Sequence, residues 1–563
     1  MNIYFQLLKK WCDRLLELQI TEKTIPELYG GILCPSCGRI HGRCSDAMYP
    51  MFYLYKATGE KKYKDCGMRL FSWSDNMYHE EGFFYNDTNS SWRGITVFSA
   101  AQMGECLLDF RECLSEEEYR SISARFEKCA EYLRVHIEEI GGNVNYPVTC
   151  AYTMAVAHKV TKEEKYAAKA RELAHNTKNY ITEDGLLYGE GHDRQFVSPK
   201  GCRPIDLGYN VEESLPALLQ YALMEEDEEI RQLAVRAMRI HLEFMLPDGA
   251  WDNSFGTRNY KWSYWGSRTS DGCLTGYGMV DDDVFREAVR RNTLLLARCT
   301  SQGLLYGGPM FESAGEPPCV HHTLCHAKAF ALLLEKAPEE QMKKLNDFRK
   351  EIPLPSDLRN GIQFFPSAQV LLLGKGSWRA TITGYDVEYC RWGHPSGGAV
   401  SLLWHKDCGP VLIGTMGNYE LVEPNNMQLP RKNTPSCLTP RIESVRDGRV
   451  YRSIYDKAAR IEWEDTGDVL LVTVSGNMTA SDDSVGEAFT LKYEMSEEAF
   501  VMEARCDERE ADLIIPKVSQ GKNREELEFS PVGGMQAVKR CLPMAEGESV
   551  RCIICMDEER KST

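Results

Sequence analysis

The chain has 563 residues, a formal net charge of -17 and 43% hydrophobic residues, and its charged fraction is ordinary for a globular protein. These values exclude a disordered, collagen-like or low-complexity chain. The acidic balance argues against nucleic acid or anionic lipid as a partner, and the length predicts more than one domain.

The N-terminal segment and the cysteines bear on location. Residues 1–19 are amphipathic and carry Lys9, Lys10 and Asp13, so they lack the unbroken apolar core of a signal peptide. No stretch approaches the ~18 apolar residues of a membrane span. The 21 cysteines are an odd number spread through helix-like segments, which favours reduced thiols. We therefore expect a cytoplasmic protein with no membrane partner, and the oligomeric state stays open.

Helical apolar spacing continues to about residue 350 and repeats loosely. Six times an apolar helix ends in a short acidic turn, and a charged amphipathic helix follows. Each such hairpin is too thin to bury its own apolar face, so the six are expected to close into a ring. The sequence predicts an (α/α)6 toroid over residues 1–352. The equivalent apolar residues after the six turns are Tyr63, Tyr119, Tyr166, Ile230, Phe285 and Met342.

The long loops that lead into the inner helices must gather at one end of such a ring. They are polar and rich in aromatic residues, and loops of this kind on a rigid scaffold are where binding and catalysis usually occur. We therefore expect the functional site at that end. The loops run near 30–46, 86–99, 141–150, 189–213, 246–275 and 306–325.

Short alternating runs separated by Gly, Asp and Pro clusters follow Pro353. This pattern predicts an antiparallel β-sandwich over residues 353–563, and helices followed by strands indicate an α+β multidomain chain. The segment 385–404 contains His394 on a turn. A sandwich loop can lean over the toroid mouth, which would make His394 a substrate-binding residue; a plain turn explains it equally well.

The loop at 248–272 is the densest group of polar and aromatic residues. Arginine pairs bidentately with carboxylates, aromatic rings stack on sugar faces, and carboxylates serve as general acid and base. The combination suits a uronic acid, whereas a loop held together by Asp–Arg pairs is the structural alternative. The candidates are Asp252 and Asp271 for catalysis and Arg258, Tyr260, Trp262, Trp265 and Arg268 for binding, with Arg93 from the loop near 86–99.

Two further groups stand at the heads of inner helices. Glu212 and Glu213 can supply a carboxylate to the cleft. His321, His322 and His326 open the last inner helix, where a catalytic or binding role competes with half a metal site and with simple packing.

The segment Cys34-Pro-Ser-Cys37-Gly-Arg-Ile-His41-Gly-Arg-Cys44 has the spacing of a structural zinc knuckle. Its four soft ligands are close enough for one tetrahedral site. Two alternatives remain: His41 and Arg43 line the substrate cleft without metal, or the segment only packs.

The stretches CPSCGRIHGRCSDAMYP, WDNSFGTRNYKWSYWGSRTSDGC, PCVHHTLCHAKA and HPSGGAVSLLWH resemble those of toroid-plus-sandwich carbohydrate-active enzymes, the heparinase II/III-like group. The chain is also similar to glycoside hydrolase family 154, which implies an exo-acting β-glucuronidase. Either resemblance implies an oligosaccharide substrate that contains uronic acid. Neither implied chemistry requires a cofactor, and a structural zinc is the cofactor that the sequence allows.

Two chemistries compete. A hydrolase needs two carboxylates about the glycosidic bond, whereas a lyase abstracts the proton beside the uronate with Tyr or His. Tyr264 and the histidines with Arg268 suit the lyase. Because exported lyases meet polymers and a cytoplasmic enzyme meets small oligosaccharides, we expect the hydrolase. A non-catalytic sugar-binding scaffold is a further alternative, and a zinc toroid like the lanthipeptide cyclases is a remoter one.

Overall fold

The computed structural model describes residues 2–262, 274–308, 318, 320–349, 351–418, 422, 437–507, 510–518, 529–532 and 535–555, with the backbone alone described at 261–262, 517–518, 529–532 and 535–540. Over these residues no helix is both long enough and apolar enough to cross a bilayer. The cytoplasmic location stays a prediction.

The N-terminal part is helical. Its helices are α1 (Ile3–Glu17), α2 (Met48–Thr58), α3 (Lys61–Trp73), α4 (Thr96–Asp109), α5 (Glu116–Ile140), α6 (Asn145–Thr161), α7 (Glu164–Asn176), α8 (Leu207–Tyr209), α9 (Leu215–Met224), α10 (Glu228–His241), α11 (Asn259–Trp262), α12 (Leu274–Tyr277), α13 (Asp283–Arg298), α14 (Val320–Lys336), α15 (Glu339–Leu345) and α16 (Pro355–Leu358).

Six of these helices form a closed inner ring. Each contacts the next in the order α2, α4, α6, α9, α12 and α14, and α14 then returns to α2. The outer helices α3, α5, α7, α10 and α13 pack against the inner helices that precede them, and α1 packs against α14. Inner helices are buried on nearly all sides, as in α6, whereas outer helices bury one stripe. The predicted (α/α)6 toroid is confirmed, with one correction to the repeat: the sixth outer helix is α1, whereas α15, which carries Met342, packs against α13.

Local sequence sets where the outer helices begin. Ser115 and Glu118 form a reciprocal capping box at the start of α5. Asp227 and Asp282 accept backbone N–H groups at the starts of α10 and α13. The acidic turns of the repeat therefore cap helices.

The toroid part of the chain also contains two short hairpins, β1 (Tyr78–His79) with β2 (Phe83–Phe84) and β3 (Thr300–Ser301) with β4 (Leu304–Leu305). The C-terminal part is built of strands. The remaining strands are β5 (Gly361–Phe365), β6 (Val370–Lys375), β7 (Trp378–Thr383), β8 (Ala399–His405), β9 (Gly409–Ile413), β10 (Arg441–Arg446), β11 (Arg449–Arg452), β12 (Arg460–Asp465), β13 (Leu470–Ala480), β14 (Val485–Met495), β15 (Ala499–Cys506), β16 (Ala511–Val518), β17 (Phe529–Val532), β18 (Met535–Met544) and β19 (Ser549–Cys555).

Two antiparallel sheets face each other. Strands β5 to β9 form one sheet in chain order, and the other runs β17-β18-β16-β10-β11-β13-β14-β15-β19 with β12 paired to β13. All of β6 is buried because both of its faces are covered. Val370 and Leu372 belong to the toroid core, whereas Leu371 and Leu373 belong to the core between the sheets. The five-stranded sheet is therefore the middle layer, and the predicted α+β arrangement of toroid and sandwich is confirmed.

Candidate active site

A polar cleft of about 490 Å³ opens at the toroid end where the long loops gather. All six loops contribute to its wall, which confirms the predicted gathering. Tyr389 adds one contact from the sandwich part of the chain. The lining residues are His41, Gly42, Arg43, Asn86, Asp87, Ser90, Trp92, Ile95, Phe98, Asn143, Asn145, Tyr146, Tyr209, Glu213, Arg258, His321 and Tyr389.

Arg43 forms one side of the cleft. It lies in the short 3-10 helix Gly42–Ala47 that leads into α2. Its Nε donates to Asp46 Oδ2 at 2.7 Å, and its Nη1 lies 3.5 Å from Glu213 Oε1. The guanidinium lies 4.2 Å from the ring centroid of Phe98. These contacts fix the orientation of a cation at the cleft wall, as expected for a planar guanidinium.

Asn145 is the first residue of α6 and connects two carboxyl groups. Its side-chain Nδ2 donates to Glu213 Oε2 at 2.9 Å, and its backbone N–H donates to Glu190 Oε1 at 2.8 Å. A helix N-terminus presents backbone N–H groups without helical partners, and Glu190 satisfies one of them. These two hydrogen bonds fix Asn145 so that its side-chain amide lies in the wall of the cleft.

Arg258 and Glu190 lie side by side beneath the cleft. Arg258 Nη1 is 3.6 Å from Glu190 Oε2, and both residues are buried. The guanidinium carbon lies 4.7 Å from the ring centroid of Tyr209 and 5.2 Å from that of Tyr389. One buried cation therefore contacts two tyrosine rings that line the cleft.

Burial raises the pKa of Glu190 to about 8, against the opposing charge of Arg258. Asp206 and Glu213 add negative charge that acts in the same direction as burial, whereas the N–H of Asn145 lowers the pKa. Glu190 is therefore protonated at neutral pH and does not cancel the charge of Arg258.

Tyr146 follows Asn145 in the first turn of α6. Its hydroxyl accepts a hydrogen bond from Trp92 Nε1 at 3.0 Å. Burial nevertheless raises the pKa of Tyr146 to about 12. This phenol therefore stays protonated and is a proton donor.

Tyr209 stands where the chain enters the fourth inner helix. Asp206 Oδ1 accepts its backbone N–H at 3.3 Å, and a π-helical turn over Asn210–Ser214 follows. Such turns frequently occur at functional sites. The turn sends Glu213 to the cleft, whereas Glu212 Oε1 lies 3.3 Å from His326 Nε2. Glu212 lines a smaller cavity inside the ring together with Arg43 and Glu213.

The histidines of α14, like Glu212 and Glu213, lie in different surroundings. His321 lines the cleft, and its ring centroid lies 5.8 Å from that of His41. His322 is buried, and its ring packs edge-on against His326 at 4.4 Å. His322 therefore does not line the cleft as its predicted catalytic role required.

The structure places Asp252, a predicted catalytic residue, away from the cleft. It is buried at the contact with the middle sheet, where it accepts hydrogen bonds from the Thr381 hydroxyl and from Ser254 N. Its side chain does not line the cleft. The same loop does place Arg258 in the cleft, as predicted.

Three predicted binding residues lie beside the cleft and do not line it. Tyr260 is buried and stacks on Tyr389. The Nη1 of Arg93 donates to the Tyr132 hydroxyl at 3.2 Å, away from the lining. His394 is buried, with Nε2 2.8 Å from Val387 O. A sandwich loop does lean over the mouth, but through Tyr389.

The predicted residues Tyr264, Trp265, Arg268 and Asp271 and the side chain of Trp262 lie outside the described residues. Asn145, Tyr146, Tyr209 and Glu190 were not among the residues predicted from the sequence. The tyrosine of the NVNYP stretch and the amide before it could have been found from their place at the head of an inner helix. The role of Glu190 depends on burial that its sequence neighbourhood does not signal.

Three of the four predicted zinc ligands come together. The ligand atoms of Cys34, Cys37 and His41 lie within 4.8 Å of one another. Cys44 is not part of this group: it is buried in the toroid core, and its N–H donates to His41 O at 2.9 Å. Two thiols and an imidazole are ligands that suit zinc.

Comparisons with known proteins agree on the class. Residues 8–356 match the ulvan lyase N-terminal domain, and residues 362–528 match the ulvan lyase C-terminal domain. A broad-specificity ulvan lyase of Formosa agariphila is 35% identical over 565 residues, covering 96% of this chain and 88% of the relative.

Among solved structures, a heparinase III is similar over 97% of this chain and 83% of its own length, at 10% identity and a TM-score of 0.48. The α-1,6-mannanase GH76A of Salegentibacter sp. HEL1_6 covers 59% of this chain and 99% of its own, at 11% identity and a TM-score of 0.43.

The domain matches and the toroid-plus-sandwich architecture define a carbohydrate-active enzyme of the toroid-plus-β-sandwich class. Within that class, the chain belongs to the ulvan lyase family. The matched domains do not support the expected resemblance to a family 154 β-glucuronidase.

Proposed function

We propose that the protein is a polysaccharide lyase that cleaves uronic-acid glycans of the ulvan type by β-elimination. The curated relative from Formosa agariphila carries the name of that activity. The single structural observation behind the proposal is the cleft, which groups an arginine, an amide and two tyrosines about one space. This replaces the hydrolase that we expected from the sequence.

Uronate binding is assigned to Arg258 with the amide of Asn145. A lyase must withdraw charge from the substrate carboxylate so that the proton at the adjacent carbon becomes acidic. Because Glu190 is protonated at neutral pH, it does not itself neutralise the guanidinium. Arg43 supplies a second guanidinium from the loop that precedes α2.

Proton transfer is assigned to the two tyrosines. We assign the base to Tyr209, whose phenolate removes the proton at C5; the Arg258 guanidinium carbon lies 4.7 Å from the centroid of its ring. The electron pair forms the C4–C5 double bond as the bond from C4 to the leaving oxygen breaks. Tyr146 holds its proton firmly and donates it to that oxygen.

The carboxylates of the cleft support the lyase over the hydrolase. Of the described lining residues, two are carboxylates, Asp87 and Glu213. Glu213 accepts from Asn145 and pairs with Arg43, and Asp87 Oδ1 accepts from Thr88 N at 2.9 Å. Both carboxylates therefore stabilise the loops of the cleft. A glycosidase, by contrast, needs one carboxyl group directed at the glycosidic oxygen and a second directed at the sugar ring.

The test is digestion of ulvan with the purified protein while the ultraviolet absorbance of the conjugated unsaturated uronate is followed. We expect a steady rise with wild type and a loss of at least about 100-fold with Tyr209→Phe, because removing a general base costs roughly 10²–10⁴-fold. A neutral polysaccharide serves as substrate control. New reducing ends without any absorbance change would overturn the lyase assignment.

A further inference from the structure

We propose that Cys34, Cys37 and His41 bind a zinc ion at the edge of the cleft. The backbone of this segment is a tight hairpin. Leu33 and Ile40 form an antiparallel bridge, and Cys34 N donates to Arg39 O at 2.8 Å. This pairing brings both thiols onto one short turn.

Gly38 closes the turn between the bridge residues. Its N–H donates to Cys34 O at 2.9 Å, and its φ of +67° lies in the left-handed region that favours glycine. A Cys-x-x-Cys-Gly turn of this shape directs two sulfur atoms to the same side. The imidazole of His41 arrives from the strand that leaves the turn.

The three ligand atoms have the spacing of a coordinated set. Cys37 Sγ lies 3.3 Å from His41 Nε2, and all three atoms lie within 4.8 Å of one another. Zinc–sulfur and zinc–nitrogen bonds of about 2.3 and 2.0 Å place tetrahedral ligands roughly 3.5–3.8 Å apart. Small side-chain rotations therefore suffice to accept the ion.

The chemistry of the ligands selects the metal. Thiolates and imidazole favour zinc over calcium or magnesium, which take oxygen ligands. Cys34 and His41 are buried and Cys37 is half-buried, so the site is partly shielded from solvent. Binding releases the thiol protons to water, and the ion takes two thiolates and one neutral imidazole.

The ion would fix the loop that carries Arg43 into the cleft. His41, Gly42 and Arg43 are consecutive, and all three line it. Gly42 packs so closely that an added Cβ would lie 2.4 Å from Asn86 O, in the neighbouring loop. A metal ion bound to His41 would therefore stabilise the edge of the cleft where the loops near 30–46 and 86–99 meet. His41 then has a structural role instead of the substrate-binding role predicted for it.

The experiment measures metal in the purified full-length protein by mass spectrometry. We expect about one zinc per chain, and after chelation and loading with cobalt(II) we expect the intense thiolate-to-cobalt absorption band. Cys34→Ser, Cys37→Ser and His41→Ala should each lower bound zinc by more than tenfold. Wild type without zinc and without the cobalt band would overturn the proposal.

Three control variants sharpen the assignment. Cys408→Ser, in the sandwich, should keep its zinc. Cys44→Ser should keep zinc because Cys44 lies outside the ligand group; loss of zinc from a folded Cys44→Ser would overturn the three-ligand set. His321→Ala should also keep zinc because His321 lies outside the ligand group; loss of zinc from a folded His321→Ala would likewise overturn the three-ligand set. The cobalt spectrum of wild type decides the matter if the ligand variants do not fold. No substrate enters these measurements, so they are independent of the lyase assignment.

Discussion

Arg258 Nη1 lies 3.6 Å from Glu190 Oε2, yet burial raises the pKa of this carboxyl to about 8. At neutral pH the pair is thus a cation beside a neutral acid. The arrangement keeps a buried guanidinium in position without cancelling its charge. In the proposed mechanism, uronate binding therefore depends on the protonation of Glu190, which does not line the cleft.

Replacing Glu190 by Gln tests this relationship. In wild type, Glu190 ionises as the pH rises through about 8 and its charge then opposes uronate binding by Arg258. We expect kcat/KM to fall above pH 8 in wild type and to stay level there in Glu190→Gln. The Gln oxygen still accepts the Asn145 N–H. An unchanged alkaline limb in the variant would assign that limb to another group.

The same carboxyl predicts a pH dependence of stability. Its folded pKa of about 8 exceeds the reference value of 4.5, so the native state holds the proton more tightly than the unfolded state. Stability should therefore fall as pH rises between those values, by about 1.4 kcal/mol per pH unit from this group. Thermal unfolding of wild type and Glu190→Gln across this range should show the difference in slope; parallel curves would contradict the raised pKa.

Arg258→Gln should raise KM for ulvan by roughly 10–100-fold, the cost of a charge-assisted hydrogen bond in a buried site. Arg93→Gln is the matched control, since Arg93 contacts Tyr132 outside the lining. Steady-state kinetics on both variants decide the point. Equal losses in the two would remove the uronate role from Arg258.

Tyr146→Phe should lower kcat by roughly 10²–10⁴-fold while leaving KM within about twofold, because the proton is needed only as the leaving oxygen departs. Tyr53→Phe, a half-buried tyrosine of α2 outside the cleft lining, is the control. The single-turnover rate measures the chemical step. Full activity in Tyr146→Phe would exclude it as the acid.

Asp252→Ala should affect stability and leave catalysis in place. Asp252 accepts from Thr381 and Ser254 in the buried contact between toroid and sheet. Leaving those donors without an acceptor costs about 1–3 kcal/mol each, so the melting temperature should fall. A normal melting temperature with lost turnover would restore the catalytic role that the sequence predicted for it.

Most of the fold could be predicted from the helical repeat, because each hairpin must pack against a neighbouring hairpin to bury its apolar face. Four of the six positions after the acidic turns are buried on outer helices, namely Tyr63, Tyr166, Ile230 and Phe285, whereas Tyr119 and Met342 are half-buried. The ring geometry then located the cleft without any motif. Composition alone cannot tell which polar residues of a loop face the cleft.

Asp252 and Arg258 show that limit. Both lie on one loop and both are residue types suited to a substrate-binding site. The structure, however, places Asp252 against the sheet and Arg258 in the lining of the cleft. The role of Glu190 could not be predicted from the sequence, because its raised pKa results from complete burial, which no local sequence pattern indicates. The predicted zinc knuckle included Cys44, but the structure places Cys44 in the toroid core and apart from the group of Cys34, Cys37 and His41.

Digestion of ulvan in water enriched in oxygen-18, followed by mass spectrometry of the products, distinguishes elimination from hydrolysis. Because β-elimination adds no water, we expect fragments whose masses sum to that of the substrate and that carry no heavy oxygen. One heavy oxygen per cleavage, with product masses that exceed the substrate by one water, would show hydrolysis and rule out the lyase.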